Sequence, residues 1–89
     1  MVKDYECANG DKYGVIRHDD ASLATCVATC DSSSNGKSGC CEFQEDWKAC
    51  IFVPGEKAAM PSVPNSGGRH AAECIFDGVY KICIKYYKY

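Results

Sequence analysis

The chain has 89 residues, eight of them cysteine, and its formal net charge is −2 at pH 7. A domain of this size buries little apolar surface, and such a high cysteine content is typical of small proteins crosslinked by disulfides. The acidic balance excludes a basic nucleic-acid-binding domain, and no apolar run approaches the roughly 18 residues that span a membrane. We expect one disulfide-rich domain, residues 1–89, that is secreted into an oxidising, extracellular compartment.

The first half of the chain predicts a short strand followed by a helix. The strand covers residues 13–17, which include two adjacent β-branched side chains. The helix covers about residues 20–30, because side chains that can be buried recur there with the period of one helical face. The positions on this face are Leu23, Cys26, Val27 and Cys30. We expect Asp19 or Asp20 to cap the helix, and the Ser- and Asn-rich segment 31–36 to end it.

The second half of the chain predicts strands on both sides of a long loop. Residues 54–72 contain three prolines and three glycines, so we interpret them as a long surface loop. A turn is expected at Glu45-Asp46 and a type I′ hairpin turn at Asp77-Gly78. The strands are predicted at residues 40–44, 47–53, 74–76 and 79–87.

The positions of the cysteines restrict the pairing without selecting it, since eight cysteines allow roughly 100 connectivities. Cys26 and Cys30 lie one turn apart on the same helix face, so each is expected to bond to a neighbouring strand. Cys40 and Cys41 are adjacent in a strand and point to opposite sides, so they need different partners.

Three segments together resemble a known extracellular family. Residues 22–30 carry a C-x3-C pair on the predicted helix, residues 40–43 read Cys-Cys-Glu-Phe, and residues 50–52 read Cys-Ile-Phe. This series is similar to the central helix and the two following strands of PAN/apple domains. The resemblance covers residues 7–53 and, more loosely, 74–85. It implies an α+β fold in which a twisted antiparallel sheet packs on one central helix.

The resemblance also implies a disulfide pattern. Carried over residue by residue, the family pattern implies Cys26–Cys50, Cys30–Cys40 and Cys7–Cys83. Cys41 then remains to pair with Cys74, in an additional bridge that would anchor the end of the long loop.

No catalytic or metal site is predicted. Both histidines lie in polar local sequence, so no Ser/His/Asp or Cys/His set is indicated, and His18 beside two aspartates is interpreted as a helix start. The C-x3-C pair and the later Cys-Cys offer four thiolates to zinc. However, the first pair lies on a helix and no C-x2-C knuckle occurs, so zinc is not expected.

By this resemblance, the chain is a secreted or ectodomain-derived binding module that recognises a protein or a carbohydrate, without catalysis or a cofactor. One alternative is a free-standing secreted effector, such as a toxin, a pheromone or a host-directed inhibitor. Another is an adhesive surface protein, because residues 80–89 are rich in tyrosine and lysine.

A basic patch is the candidate ligand-binding surface. Lys81 and Lys85 share one face of the last predicted strand. A Cys41–Cys74 bridge would hold the end of the long loop near them. On an otherwise acidic chain, such a patch suits a sulfated glycan or an acidic protein surface. The alternative is that these charges are solvated and never converge. The residues of the patch are Arg69, His70, Lys81, Lys85, Tyr87 and Lys88.

Overall fold

The computed structural model describes residues 2–3, 5–8, 10–17, 22–36, 38–55, 62–64, 67–76 and 81–84. Within these ranges, the elements are β1 (Val2–Lys3), β2 (Tyr5–Cys7), α1 (Gly10–Tyr13), β3 (Val15–Arg17), α2 (Leu23–Ser33), β4 (Gly39–Gln44), β5 (Ala49–Pro54), β6 (Ser62–Pro64), β7 (Arg69–Phe76) and β8 (Lys81–Ile84). Four disulfides crosslink them. The predicted class, a small disulfide-rich α+β domain, is confirmed.

The main sheet is antiparallel, and its central strand β4 lies between β7 and β5. The strand order is β1-β7-β4-β5-β3, and β8 also pairs with β7. In the central register, Cys41 lies opposite Phe52 of β5 and Ala72 of β7. A second, two-stranded sheet joins β2 to β6. Because β4 is hydrogen-bonded on both sides, Gly39–Phe43 are all buried, and they form the centre of the domain.

Helix α2 begins later than predicted, and serine caps it instead of aspartate. The Thr25 N–H donates to the Ser22 hydroxyl, and the Ser22 N–H donates to the Thr25 hydroxyl, both at 3.3 Å. This reciprocal pair satisfies two N–H groups that a helix start otherwise leaves open. The helix ends after Ser33 because Asn35 and Gly36 adopt left-handed conformations, with φ of 53° and 75°. The predicted caps at positions 19 and 20 lie outside the described residues.

The predicted first strand is shorter than expected, since residues 10–13 form α1 and only Val15–Arg17 are strand. Gly14 joins the two elements, and its N–H donates to the Gly10 carbonyl at 3.0 Å. A side chain at Gly14 would collide with that carbonyl and with the Ile51 side chain. The glycine therefore allows the helical turn to pack directly against β5.

The predicted long loop is also partly strand. Residues 62–64 form β6, and the last four residues of the predicted loop, 69–72, belong to β7. Both segments are strand because a distant partner pairs with them: β2 pairs with β6, and β4 extends the register of β7 to Arg69. The predicted hairpin turn at 77–78 lies outside the described residues, as do the ends of the predicted last strand.

The sheet separates two buried clusters. The face toward α2 carries the half-cystines and aromatic rings of the larger cluster, in which the Phe52 and Phe76 ring centres lie 6.1 Å apart. That cluster contains Cys26, Cys30, Cys41, Phe43, Cys50, Phe52, Ala72, Cys74 and Phe76. The opposite face contacts β2, and its cluster contains Cys7, Cys40, Ile51, Val53 and Ala71. We call these the helix face and the β2 face.

The disulfides are Cys7–Cys40, Cys26–Cys50, Cys30–Cys41 and Cys74–Cys83. Cys26–Cys50 is the pair that the PAN/apple resemblance implied. The other implied bridges are wrong, namely Cys30–Cys40, Cys7–Cys83 and Cys41–Cys74.

The side of the sheet to which each cysteine points explains these differences. Cys41 lies on the helix face, where it meets Cys30 of α2, whereas Cys40 lies on the β2 face, where it meets Cys7. Cys40 and Cys41 bond to different partners, as expected. The implied partner of Cys30 was wrong by one strand position, since Cys30 bonds to Cys41 and not to Cys40. Cys74 and Cys83 lie directly opposite each other in the β7–β8 register, so they pair locally.

Candidate functional site

The β2 face holds a buried acid at the middle of the sheet. Glu42 is only 1% exposed. Its Oε1 accepts a hydrogen bond from the Cys7 N–H at 2.8 Å, and its Oε2 accepts one from the Gln44 amide at 2.9 Å. Burial raises the pKa of Glu42, although both hydrogen bonds and the charge of Arg69 act in the opposite direction. The carboxyl group thereby ties the backbone of β2 to the main sheet.

Arg69 connects this buried acid to β2. Its Nη1 lies 2.8 Å from Glu6 Oε2 and 3.5 Å from Glu42 Oε2. The guanidinium group is about one-third exposed, whereas Glu42 is buried. One cation thus compensates two carboxyl groups from two different strands. The arrangement serves the packing of β2 on the sheet, and it uses the charge that the predicted basic patch assigned to a ligand.

His70 points to the other side of the sheet. Its Nε2 lies 2.5 Å from Glu45 Oε1, and its ring centre lies 6.4 Å from that of Phe43. The imidazole is mostly buried, at 11% exposure. Consecutive residues of a strand alternate between faces, so Arg69 and His70 do not form one surface. Each of them already has a carboxyl partner within the fold.

Of the other four residues of the predicted basic patch, Lys81 alone has its backbone in the described part of the chain. Lys81 begins β8 and lies opposite Phe76 in the register. Its side chain lies outside what the structure describes, as do Lys85, Tyr87 and Lys88. The structure therefore places Arg69 and His70 on opposite faces of the sheet. The contribution of the lysines to a basic patch stays a prediction.

The helix face brings together four sulfur atoms that the sequence analysis did not group. The sulfurs of Cys26, Cys30, Cys41 and Cys50 all lie within 4.8 Å of one another. All four residues are at most 1% exposed. The sequence analysis considered Cys26, Cys30, Cys40 and Cys41 as zinc ligands and expected no zinc; in the structure, Cys50 takes the place of Cys40 in the group. Cys41 of β4 and Cys50 of β5 lie beside the helical pair and complete the group of four sulfurs.

The exposed apolar surface lies at the edge strand β3. Val15 and Ile16 are 39% and 45% exposed, and Arg17 is exposed as well. Tyr13 precedes the strand at 39% exposure, with the Lys12 ammonium 5.2 Å from the centre of its ring. Sequence reasoning missed this surface, although Val15 and Ile16 are adjacent and both apolar. In a strand, two such neighbours cannot face the same side of the sheet.

The backbone of β3 is hydrogen-bonded on one side only within the described part of the chain. That side pairs with β5, through the register Val15–Phe52, Ile16–Ile51 and Arg17–Cys50. The other side ends the strand order of the main sheet. Trp47, in the turn between β4 and β5, is 69% exposed, more than the other large apolar residues in the described part of the chain. The sheet thus ends in an exposed strand whose side chains are mostly apolar.

Among the described residues, no helix is both long and apolar enough to cross a membrane. Comparisons with protein-family models, with curated proteins and with solved structures found no match. Four disulfides in so small a domain are typical of extracellular proteins.

Proposed function

We propose that the chain is a secreted, non-catalytic module that binds a protein by pairing an extended segment of that protein with β3. The observation that supports this proposal is the exposed edge itself. All three residues of β3 are exposed, and the strand has one hydrogen-bonded neighbour among the described residues. The resemblance of residues 7–53 to PAN/apple domains implies a binding module for a protein or a carbohydrate, and that resemblance remains part of the proposal.

An exposed strand edge offers two kinds of contact to an extended peptide. The backbone supplies N–H and C=O groups for a new antiparallel or parallel pair, which gives affinity with little dependence on sequence. Exposed Val15 and Ile16 supply apolar contact, and such side chains at an edge favour association. Because β3 has only three residues, we expect a short partner segment and a modest affinity.

Two exposed cations flank the apolar pair of β3, and Asp11, Asp19 and Asp20 lie close to them in the sequence. Lys12 precedes the strand and Arg17 ends it, and both are exposed. Two cations that flank an apolar pair would attract carboxylates placed at either end of a bound segment. A protein therefore fits this surface better than a sulfated glycan. The glycan hypothesis depended on a basic patch in which Arg69 is engaged by Glu6 and Glu42.

The test uses the oxidised full chain and displayed libraries of extended peptides. We expect the selected peptides to contain an apolar centre with flanking acidic residues, and to shift the NMR signals of residues 15–17. Ile16→Glu should abolish this binding, because it places a carboxylate where the acidic peptide must pair. Ala28→Glu, on an exposed position of α2, is the matched control and should bind like the parent.

Two results would contradict the proposal. One is a library that yields no binder to the oxidised chain. The other is a set of binders whose affinity is the same for Ile16→Glu and for the parent, which would place the binding surface elsewhere.

Raising the salt concentration should weaken the binding of acidic peptides, because the attraction between exposed charges is screened over about 8 Å at physiological ionic strength.

A further inference from the structure

The four sulfurs of the helix face come from three elements that surround one point. Cys26 and Cys30 are one turn apart on α2, while Cys41 lies on β4 and Cys50 on β5. Across the two disulfides, the sulfur of Cys26 lies 3.8 Å from that of Cys41, and the sulfur of Cys30 lies 3.5 Å from that of Cys50. We call these four residues the sulfur cluster.

These separations are those of a tetrahedral metal site. A Zn–S bond is about 2.3 Å long, so the sulfurs of a tetrathiolate zinc site are separated by about 3.8 Å. The two contacts across the disulfides are close to this spacing, and the two bonded pairs would have to move apart. We propose that the reduced protein binds one Zn²⁺ ion at the sulfur cluster, and that the oxidised protein does not.

The chemistry requires a reductant and releases protons. A dithiol reduces each of the two disulfides: it gives up two electrons and two protons, becomes a disulfide itself, and leaves two cysteine thiols. The four thiols then lose four protons as Zn²⁺ binds, and the resulting site carries a charge of −2. In the oxidised protein, the sulfurs bond to one another and offer no thiolate to a metal.

The surroundings of the cluster predict how zinc uptake depends on pH. The Cys50 sulfur lies 3.0 Å from the carbonyl oxygen of Cys26, and the Cys26 sulfur lies 3.3 Å from that of Glu42. Carbonyl oxygens accept hydrogen bonds from thiols and give no such bond to thiolates. Zinc must displace the protons of the four thiols, so its binding should weaken as the pH falls.

The other four cysteines provide an internal control. Cys7 and Cys40 lie on the β2 face, and Cys74 and Cys83 join β7 to β8. Each pair has two sulfurs only, and neither belongs to the group of four that share one centre. This inference goes beyond the proposed function, because the oxidised chain is the form that would bind a protein at β3.

The first test is an anaerobic titration of the full chain with Co²⁺, after reduction by a phosphine that is then removed. We expect one equivalent of Co²⁺ to bind with the charge-transfer and d–d absorption of a tetrahedral tetrathiolate, and Zn²⁺ to displace it. Cys41→Ser should lose this spectrum. A variant in which the four control cysteines are serine should keep it. No cobalt binding, or a tetrathiolate spectrum in Cys41→Ser, would overturn the proposal.

A second measurement needs no variant. The reduced parent chain is mixed with one equivalent of Zn²⁺ and treated with an alkylating reagent, and the modified cysteines are then identified by peptide mass spectrometry. We expect Zn²⁺ to protect the sulfur cluster while the four control cysteines react. Equal alkylation of all eight cysteines, or protection of the control cysteines, would show that the reduced chain has no such site.

Discussion

The two faces of the main sheet are built by different kinds of interaction, although they share the same strands. The helix face is apolar and crosslinked: two disulfides join α2 to β4 and β5 around Phe52 and Phe76. The β2 face mixes aliphatic side chains with a buried acid, one disulfide and an ion pair. Alternation along β4 is enough to produce this contrast, since Cys41 and Glu42 are neighbours in the chain.

The difference shows which contacts depend on geometry. Apolar burial is proportional to area and is not directional, so the rings of the helix face need no individual hydrogen-bond partner. The β2 face is stricter, because a buried carboxyl group without its hydrogen bonds is destabilising. Glu42 therefore needs Gln44, Arg69 and the Cys7 N–H in their places. Four predictions follow from this contrast, with the larger expected effects first.

Removal of a disulfide should have a large effect that grows with the length of the loop it closes. Replacing both Cys26 and Cys50 by alanine opens a loop of 24 residues, which lowers the free energy of unfolding by about 3.5 kcal/mol. Removing Cys74 and Cys83 in the same way opens a loop of 9 residues and should cost about 2.5 kcal/mol. Guanidinium denaturation followed by circular dichroism measures both. A larger loss from the second pair would reverse the expected ranking.

Adjacent residues of β5 compare the two faces within one strand. Phe52→Ala removes a ring from the helix face and should lower the free energy of unfolding by about 4 kcal/mol. Val53→Ala, on the β2 face, should lower it by about 2 kcal/mol. Both side chains are at most 1% exposed, so their size sets the difference. Equal losses in a denaturation experiment would mean that the rings of the helix face are loosely packed.

Glu42 should give the β2 face a pH dependence of stability. Its pKa is raised above the ordinary value of 4.5 by burial, so the folded chain keeps a proton that the unfolded chain releases. Between 4.5 and the raised pKa of the folded state, this group therefore makes the free energy of unfolding fall as the pH rises. Its contribution is most favourable below the unfolded pKa.

The measurement is the difference between the parent chain and Glu42→Gln at several pH values. The amide does not titrate, so the variant should lack this descending contribution while other acids contribute equally to both proteins. Glu73→Gln, at a half-buried position of β7, serves as the control for the replacement of a carboxyl group by an amide. If the free energies of unfolding of parent and Glu42→Gln run parallel with pH, Glu42 has the same pKa in both states.

The smallest effect is expected at the start of α2. Ser22→Ala removes the hydroxyl that accepts the Thr25 N–H and should lower the free energy of unfolding by about 1 kcal/mol. Ser22→Gly should lower the free energy of unfolding by roughly a few tenths of a kcal/mol, because glycine is tolerated at this cap. Thermal denaturation with intact disulfides distinguishes the two. Equal stability of Ser22→Ala and the parent would show that the disulfides alone hold this end of the helix.

Local patterns in the sequence determined the class of the domain and much of its central part. The 3.6-residue period placed Cys26 and Cys30 on one face of a helix, and this face is buried in the structure. Alternation in the strand required Cys40 and Cys41 to have different partners, as they do. These features follow from neighbours a few residues apart, so sequence alone reveals them.

Tertiary structure alone decided the partners. A strand shifted by one position exchanges its two faces, so sequence could not show that Cys41 rather than Cys40 faces α2. Residues 62–64 and 69–72 became strand through pairing with distant segments. Likewise, Arg69 contacts both Glu6 and Glu42 because β2 packs against the main sheet. Contacts between residues far apart in the chain depend on register and packing, and local sequence carries neither.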